Sequence, residues 1–425
     1  MKHPSVVVFL GLFFAASCGM AQTTPFNQGM VWGLGVRSLG MGGAYTAVAD
    51  DYSGILYNPA GLGQVQSVEI SGSFSHLSVS DRAVFMQTEN SESSGFSKLN
   101  GLGVVFPIPT SRGSMALGFG YQRTRMFDGV LRVSQLITTP GDSVTQGYNE
   151  LEDGGLGQTS LGASLEMAPG VFLGTALHFW TGGDDYIWEF TESDAPFDIW
   201  TFSEFHSLSH FNTRFTGFNV SLGTLVRMGE MFRFGASLST PVTLSGEEDW
   251  DYTETTQWDD GVQTTDTTES GWVEYKIRSS WMFQAGVALK VSRLLVSADL
   301  QMTDYGQMKY TTDPPVAGTT MAQANLEIKQ NFRSVLDYRV GAELVLPFVP
   351  VRLRAGYGTL GSYLKNGPNG MDREVYSAGA GIDFKGSVGI DIAYAQTTFD
   401  NPAGEVIEGE KVEHKLVMVS FLYRM

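Results

Sequence analysis

Short segments in which apolar side chains alternate with small or polar ones recur from residue 66 to the end of the chain. In one of them Met115, Leu117 and Phe119 are separated by the small residues Ala116 and Gly118. Successive side chains of a strand point to opposite faces, and a strand of about ten residues with one apolar face is typical of a membrane β-barrel wall. The pattern therefore predicts an all-β protein with lipid on one side of its strands and a barrel interior on the other.

Fourteen such segments can be placed along the chain, near residues 67–78, 98–107, 113–126, 157–168, 171–182, 213–228, 231–241, 278–290, 293–305, 333–346, 351–362, 373–385, 387–398 and 412–425. Their connections alternate between tight turns, at 168–170, 229–230, 292, 347–350 and 386, and long loops, at 79–97, 127–156, 183–212, 242–277 and 306–332. Short periplasmic turns and long extracellular loops are what closed outer-membrane barrels show. We therefore predict a transmembrane antiparallel β-barrel of about fourteen strands over residues 66–425.

A soluble β-sandwich or propeller would also contain many alternating strands. The sequence has no internal repeat of about 40 to 50 residues, which a propeller would show. A sandwich would turn its polar face outward and would need no alternation of tight turns and long loops. Both alternatives are weaker interpretations than the barrel.

The first 21 residues have the features of a secretory signal sequence. A basic residue precedes an apolar stretch at 6–16, and Gly19 and Ala21 suit a cleavage site after Ala21. The stretch is shorter than the roughly 18 residues that a spanning helix needs. An alternative is lipidation of Cys18, although the usual leucine three residues earlier is missing. If cleavage follows Ala21, the mature chain has no cysteine for disulfides or thiolate metal sites.

Composition and charge exclude two further classes of protein. The net charge of −18 argues against nucleic-acid binding, because phosphate recognition draws on clustered Lys and Arg. No segment after the leader approaches about 18 uninterrupted apolar residues, so a helical membrane protein is excluded.

Residues 29–64 precede the first strand, lack its alternation and are rich in glycine and alanine. Arg37 to Gly43, the run Ala49-Asp50-Asp51 and the run from Asn58 to Leu62 resemble the plug of the FadL/TodX-type outer-membrane transporters of long-chain fatty acids and other hydrophobic compounds. Residues 338–343, 353–357 and 376–381 resemble late strands of that family. The resemblance implies a plug, or hatch, at residues 22–65 in the lumen of a fourteen-stranded barrel.

The plug and gating residues that this resemblance indicates are Gly40, Gly42, Gly43, Asp50, Asp51, Asn58, Pro59 and Ala60. A chain that crosses a barrel must satisfy its backbone hydrogen bonds, so the glycines are expected to allow tight turns and close approach to the wall. Pro59 fixes the chain, and the Asn58 amide can tie neighbouring backbone groups. We expect Asn58, Pro59 and Ala60 to lie where the plug meets the wall.

The predicted loop at 183–212 is rich in aromatic residues, among them Tyr186, Trp188, Phe190, Phe197, Trp200, Phe202 and Phe205. They either pack together as a lid or form a hydrophobic groove that captures substrate, the role that the resemblance implies. The next loop, 242–277, carries ten carboxylates. These would repel fatty-acid anions, which leaves neutral hydrophobic compounds such as aromatics as substrates.

Arg339, Arg352 and Arg354 alternate toward the predicted interior. We expect them to pair with Glu343 or with the plug carboxylates, and a grip on a substrate carboxylate is the alternative.

The chain has no Gly-x-Ser-x-Gly elbow and no His-Glu-x-x-His, so we predict neither an enzyme nor a cofactor. His206 and His210, near Glu204, have a spacing that could chelate a metal on a helix. Two histidines in an acidic loop are more often ordinary polar loop residues, so no metal site is predicted.

These features predict an outer-membrane channel for passive uptake of fatty acids or neutral aromatic hydrocarbons. The expected partners are outer-membrane lipid and lipopolysaccharide, the hydrophobic substrate and the barrel assembly machinery, with no nucleic acid. An alternative is a non-transporting barrel that partners a protein secretion system, because plug-like motifs also occur in such barrels. A barrel enzyme acting on lipids is a third possibility.

Overall fold

The computed structural model describes residues 35–139, 142–194, 201–367, 371–384, 386–401 and 407–425. The expected signal sequence at 1–21, with Cys18, lies outside the described residues. So do residues 22–34 of the expected plug and two of the expected capture residues, Phe197 and Trp200.

Strands make up most of the described chain. They are β1 Glu69–Phe85, β2 Thr88–Ile108, β3 Met115–Met126, β4 Gly129–Thr139, β5 Asp142–Ala168, β6 Val171–Asp194, β7 Phe202–Met228, β8 Phe232–Ser239, β9 Thr243–Trp258, β10 Gln263–Arg278, β11 Met282–Val291, β12 Leu294–Asp304, β13 Lys309–Tyr310, β14 Ser334–Val345, β15 Val351–Leu360, β16 Arg373–Phe384, β17 Val388–Asn401 and β18 Ile407–Arg424. The helices are α1 Val36–Gly40, α2 Gly54–Tyr57 and α3 Met321–Asn331, with 3₁₀ turns at Pro59–Gln64 and Tyr305–Gln307.

Fourteen of these strands form one closed antiparallel barrel. In order around the wall they are β1, β2, β3, β5, β6, β7, β8, β11, β12, β14, β15, β16, β17 and β18. The barrel closes where β18 pairs with β1, with Leu77 opposite Leu416. Closure gives every barrel strand a hydrogen-bonded neighbour on both sides, so the backbone N–H and C=O groups within the wall are paired, as a barrel in lipid requires. The predicted number of fourteen strands is confirmed.

The predicted tight turns are found, but most of the predicted long loops are wrong. At 79–97, 127–156, 183–212 and 242–277 the described residues are mainly strand, because the hairpins continue far beyond the barrel. β1 and β2, for example, stay paired up to Phe85 and Thr88. Neither face of these extensions needs to be apolar, so their sequence lacks the alternation on which the prediction rested. Only the segment at 306–332 has little strand, and it contains β13 and α3.

A belt of exposed apolar side chains surrounds the barrel. It includes Ile70, Phe74, Leu102, Phe106, Phe119, Leu161, Phe179, Phe218, Leu222, Phe234, Phe283, Val287, Leu300, Leu336, Val340, Leu353, Ile382, Ile390, Ile392, Val419 and Phe421, and every one of the fourteen barrel strands contributes. So large an apolar surface is unfavourable in water and is typical of a lipid-facing wall. In the described residues, no helix has the length and apolar character needed to cross a bilayer.

Candidate functional site in the barrel interior

Residues 35–65, called here the N-terminal segment, are packed against the inner side of the wall. Met41, Tyr45, Ile55 and Leu62 are fully buried although they belong to no strand. Their surroundings are inward-facing residues of the barrel near the tight turns, and we call this end of the barrel the tight-turn end. The opposite end, where the hairpins continue, is the extended end.

A set of inward-facing glycines makes room for the N-terminal segment. In each of them an added Cβ would approach atoms of this segment, and we call the set the glycine ring: Gly103, Gly118, Gly120, Gly162, Gly174, Gly223, Gly235, Gly286, Gly341, Gly356 and Gly379. These glycines come from ten of the fourteen barrel strands. Contacts with strands on opposite sides of the barrel mean that the segment crosses the lumen.

Gly42 and Gly43 show why glycine is needed on the segment itself. Both have a positive φ, 65° and 76°, which L side chains rarely adopt. A Cβ on Gly42 would lie 2.6 Å from the backbone nitrogen of Tyr357, and one on Gly43 would lie 3.1 Å from the Arg339 side chain. Gly40 lies close to Arg354 and Gly379. These three glycines therefore hold the chain against β14, β15 and β16.

Asn58 ties two turns of the segment to the wall on the other side. Its Nδ2 donates to the backbone oxygens of Thr46 and Thr224, both at 2.9 Å, and its Oδ1 accepts from the Ala60 backbone nitrogen at 3.2 Å. Ser164 on β5 donates to the Ala60 oxygen at 2.7 Å. Pro59 begins the 3₁₀ turn. The residues Asn58, Pro59 and Ala60 thus lie where the segment meets β5, β6 and β7.

The two carboxylates of the segment have different partners. Asp50 forms ion pairs with Arg37, at 2.5 Å, and with Arg233 of β8, at 3.1 Å. Asp51 accepts a hydrogen bond from the Tyr45 hydroxyl at 2.7 Å. Sequence reasoning missed both partners of Asp50: Arg233 is 183 positions away, and no local rule pairs Arg37 with a carboxylate 13 positions on in an irregular segment.

The wall arginines Arg339, Arg352 and Arg354 have different partners and fall into two groups. Arg354 is fully buried and pairs with Glu343 at 2.7 Å and with Asp391 at 2.5 Å. Arg352 pairs with Asp383 at 3.2 Å. These ion pairs occupy both guanidinium groups at the tight-turn end. Arg339 instead donates to Gln301 Oε1 at 2.9 Å and borders the cavity described next.

A cavity of about 220 Å³ lies on the side of the N-terminal segment that faces the extended end. Gly42, Gly43 and Tyr57 form part of its floor. Its wall is mixed in character and includes Thr124, Arg125, Gln158, His178, Trp180, Asn219, Gln284, Gln301, Met308, Asp337, Arg339, Leu360 and Arg373. The cavity therefore offers both apolar surface and hydrogen-bonding groups to a small molecule.

His178 is a cavity residue that sequence reasoning did not single out. Its ring lies between two serines, with Nδ1 2.7 Å from Ser160 Oγ and Nε2 2.8 Å from Ser221 Oγ. Both ring nitrogens are used by hydroxyl groups, so neither is oriented by a carboxylate as in a nucleophile–base arrangement. A lone histidine between Leu177 and Phe179 in a strand gave no signal for this network.

The expected capture aromatics lie on strands and not on a loop. Tyr186, Trp188 and Phe190 alternate along β6 on the face that continues from the cavity residue Trp180, and we call this the concave face. Trp188 packs on Tyr148 of β5, with ring centroids 5.4 Å apart.

On β7, Phe205 faces Phe190 at 6.4 Å, and Phe211 faces Tyr186 at 6.1 Å. Phe202 is half-buried at the start of β7. The concave face beyond the cavity thus carries three aromatic pairs, Tyr186–Phe211, Trp188–Tyr148 and Phe190–Phe205.

His206 and His210 lie on a strand, β7, and not on a helix as the metal interpretation supposed. They point to the convex face, away from the lumen. His206 Nε2 lies 2.8 Å from Glu189, and His210 lies 2.5 Å from Asp185 and 3.4 Å from Asp251.

Carboxylates also face the concave side beyond the apolar belt. Glu150 and Glu152 come from β5, Asp184 from β6 and Glu248 from β9. Burial raises the pKa of Asp184 and of Glu248 to about 7, and the neighbouring carboxylates add to this rise. Burial together with Asp184 raises the pKa of Glu152 well above its ordinary value. A molecule that enters from the extended end passes these carboxylates, which we call the acidic layer, before it reaches the cavity.

No protein-family model and no curated protein sequence matches the chain. Several solved structures nevertheless share its fold. A FadL homologue of Pseudomonas aeruginosa is 13% identical, with a TM-score of 0.62, and the match covers 93% of this chain and 99% of that one. The toluene transporter TodX of P. putida is 14% identical, with a TM-score of 0.60 and the same coverage.

The toluene transporter TbuX of Ralstonia pickettii is 13% identical, with a TM-score of 0.55, and it too is matched over 93% of this chain and 99% of its own. At such low identity the likeness shows the fold alone. The chain has the architecture of these outer-membrane β-barrels over nearly its whole length.

Proposed function

We propose that this chain is an outer-membrane channel for the passive uptake of hydrophobic small molecules. The apolar belt and the fold shared with a FadL homologue and with toluene transporters support this proposal. In the proposed orientation the tight-turn end faces the periplasm and the extended end faces the outside, as in other outer-membrane barrels.

In this proposal the N-terminal segment is a plug. It crosses the lumen within the glycine ring and is joined to both sides of the wall, by Asn58 to β7 and by Arg37 to Glu343 of β14. A substrate held above it can reach the periplasm only if part of the segment moves or if the wall opens. No energy source is needed for movement down a concentration gradient.

One observation carries the proposal: the cavity lies inside a closed barrel, between the N-terminal segment and the concave aromatic face. Tyr186, Trp188 and Phe190 would collect apolar molecules at the cell surface. Trp180 and Met308 would then receive them in the cavity. Water exclusion from such surfaces yields about 25 cal/mol per Å² of apolar area buried, which is sufficient for reversible binding without chemistry.

The cavity can bind a polar or anionic head group, whereas the acidic layer disfavours anions. Arg339 and Arg373 can bind a carboxylate or hydroxyl head group within the cavity. Asp184 and Glu248, which are fully charged only above about pH 7, then repel anions before they reach it. We therefore propose neutral hydrophobic compounds and protonated fatty acids as the substrate class.

The test is mass spectrometry of the organic molecules that co-purify with the chain from native outer membranes in mild detergent. The expected result is a stoichiometric apolar molecule in the wild type, and less of it in a Tyr186→Ser/Trp188→Ser variant. The matched control is Ile187→Ser/Leu208→Ser, which changes the convex face of β6 and of its neighbour β7 and should retain the molecule. An empty barrel that brings down partner proteins would contradict uptake and favour the secretion-associated alternative.

A further inference from the structure

The outer edge of β10 is an unpartnered strand edge at the extended end. β10 pairs with β9 along its length, and on its other side it pairs with β13 only over Ile277 and Arg278. Thr311 and Thr312 add hydrogen bonds at Lys276. From residue 263 to residue 275 the described part of the chain places no strand against this edge, so a row of backbone donors and acceptors is open to another chain.

Charge pairing across the convex face follows a pattern that stops at this edge. His210 of β7 lies beside Asp185 of β6 and Asp251 of β9, and Arg214 of β7 lies 3.7 Å from Asp249 of β9. Each acidic strand is thus next to a strand that carries a basic group.

At β10 this pairing is incomplete. Glu274 stands directly opposite Glu247 of β9, a like-charge pair that is unfavourable. Its basic neighbour is Lys276 of its own strand, at 3.5 Å. A further strand with basic side chains would complete the pattern.

Trp272 is the second feature of this edge. It lies two residues from Glu274 on the same face and is 73% exposed. Charged residues alone protect an edge from self-association, and an exposed indole works against that protection. An arginine on an added strand could stack on the indole of Trp272 and pair with Glu274 at once. On the concave face, Glu269 offers a second carboxylate to the same strand.

We propose that the β10 edge binds an extended, basic segment of another protein by strand addition. Backbone hydrogen bonds would supply affinity, and alternate basic side chains would meet Trp272 and Glu274 on one face and Glu269 on the other. This interaction is separate from the transport of small molecules. The β10 edge of a second copy of this chain is excluded as the occupant. Its carboxylates would lie beside Glu269 and Glu274 of the first copy and repel them.

The test uses the full chain in detergent micelles and a ten-residue peptide of alternating Arg and Thr, with the Glu-Thr analogue as the negative probe. Glu269→Gln/Glu274→Gln should weaken binding about tenfold, and Trp272→Ala should weaken it as well. The matched control is Asp259→Asn/Asp260→Asn, which removes the same charge at the hairpin tip and should leave the affinity unchanged.

Hydrogen exchange gives the second readout, because strand addition protects backbone amides. We expect peptide binding to protect amides at 263–275. Equal weakening by both charge variants, or binding without this protection, would show diffuse charge attraction and overturn the proposal. Binding of the Glu-Thr peptide would overturn it too.

Discussion

At the scale of single residues, the glycine ring is what allows a folded segment to cross the barrel. A Cβ on Gly356 would lie 2.0 Å from the Gly42 nitrogen and 2.2 Å from the Met41 carbonyl carbon. Both atoms belong to backbone, so no side-chain rotation could relieve the contact. Gly174 is in the same situation against the backbone of Pro59 and Ala60, and a Cβ on Gly223 would lie 2.1 Å from Asn58 Oδ1. The backbone of the segment can therefore approach the wall this closely only because the wall has glycine at these positions.

We predict that Gly356→Ala displaces the segment near Gly42 while the barrel still closes. Single-channel conductance in planar bilayers should rise, because the lumen loses part of its obstruction. Gly389→Ala is the matched control, since its Cβ would meet Leu422 at 3.5 Å and 3.7 Å and the Ile382 backbone oxygen at 3.9 Å, all ordinary contact distances. A conductance equal to that of the wild type in both variants would show that Gly42 does not obstruct the lumen.

Residue-scale sequence reasoning found the contact points of the segment but not their partners. Gly42, Asn58 and Ala60 are indicated by the resemblance of this segment to a plug, and the positive φ of Gly42 and the Asn58–Ala60 hydrogen bond fit the needs of backbone inside a barrel. The pairing of Arg37 with Glu343 spans 306 positions in the chain, and no local rule foretells it.

At the scale of elements, the strands within the apolar belt were predictable and their extensions were not. Lipid on one face forces alternation, so segments such as β3 and β12 are visible in the sequence. Beyond the belt the same strands continue with polar residues on both faces, as at residues 88–94 of β2. The aromatic residues at 183–212 are visible in the sequence, but only the strand register brings Tyr186 and Phe190 of β6 beside Phe211 and Phe205 of β7.

The extension of β5 and β6 should respond to pH through Glu152 and Asp184. Their folded-state pKa values are raised, to about 7 for Asp184, whereas unfolded carboxyl groups titrate near pH 4. A raised carboxyl pKa contributes stability below the unfolded pKa, and this contribution is lost as the pH rises through about 7. We therefore predict that amide protection at 142–156 and 182–194, corrected for intrinsic exchange, decreases from pH 5.5 to pH 8.

The variant Glu152→Gln/Asp184→Asn is the control for this pH effect, because it removes both titrating groups and nearly keeps their shape. Its amide protection should be almost independent of pH. An unchanged slope in the variant would assign the titration to other groups.

At the scale of the whole molecule, closure of fourteen strands creates an interior with three levels. The N-terminal segment fills the tight-turn end, the cavity lies above it, and the acidic and aromatic concave face leads to the rim. The number of strands and the tight turns could be read from the sequence. The cavity could not, because it is bordered by residues from many strands whose register the sequence does not specify.

The most direct test of the account is the initial rate of uptake of a radiolabelled long-chain fatty acid and of toluene by cells. Three cell types are compared: one with the wild-type chain in its outer membrane, one with the chain that lacks residues 22–65, and one with neither. If the chain is an uptake channel with a plug, cells that contain it take up at least one compound faster than cells without it, and this uptake needs no energy source. Deletion of residues 22–65 changes the rate. Equal rates in all three cell types, with the barrel shown to be folded in the membrane, would contradict the account.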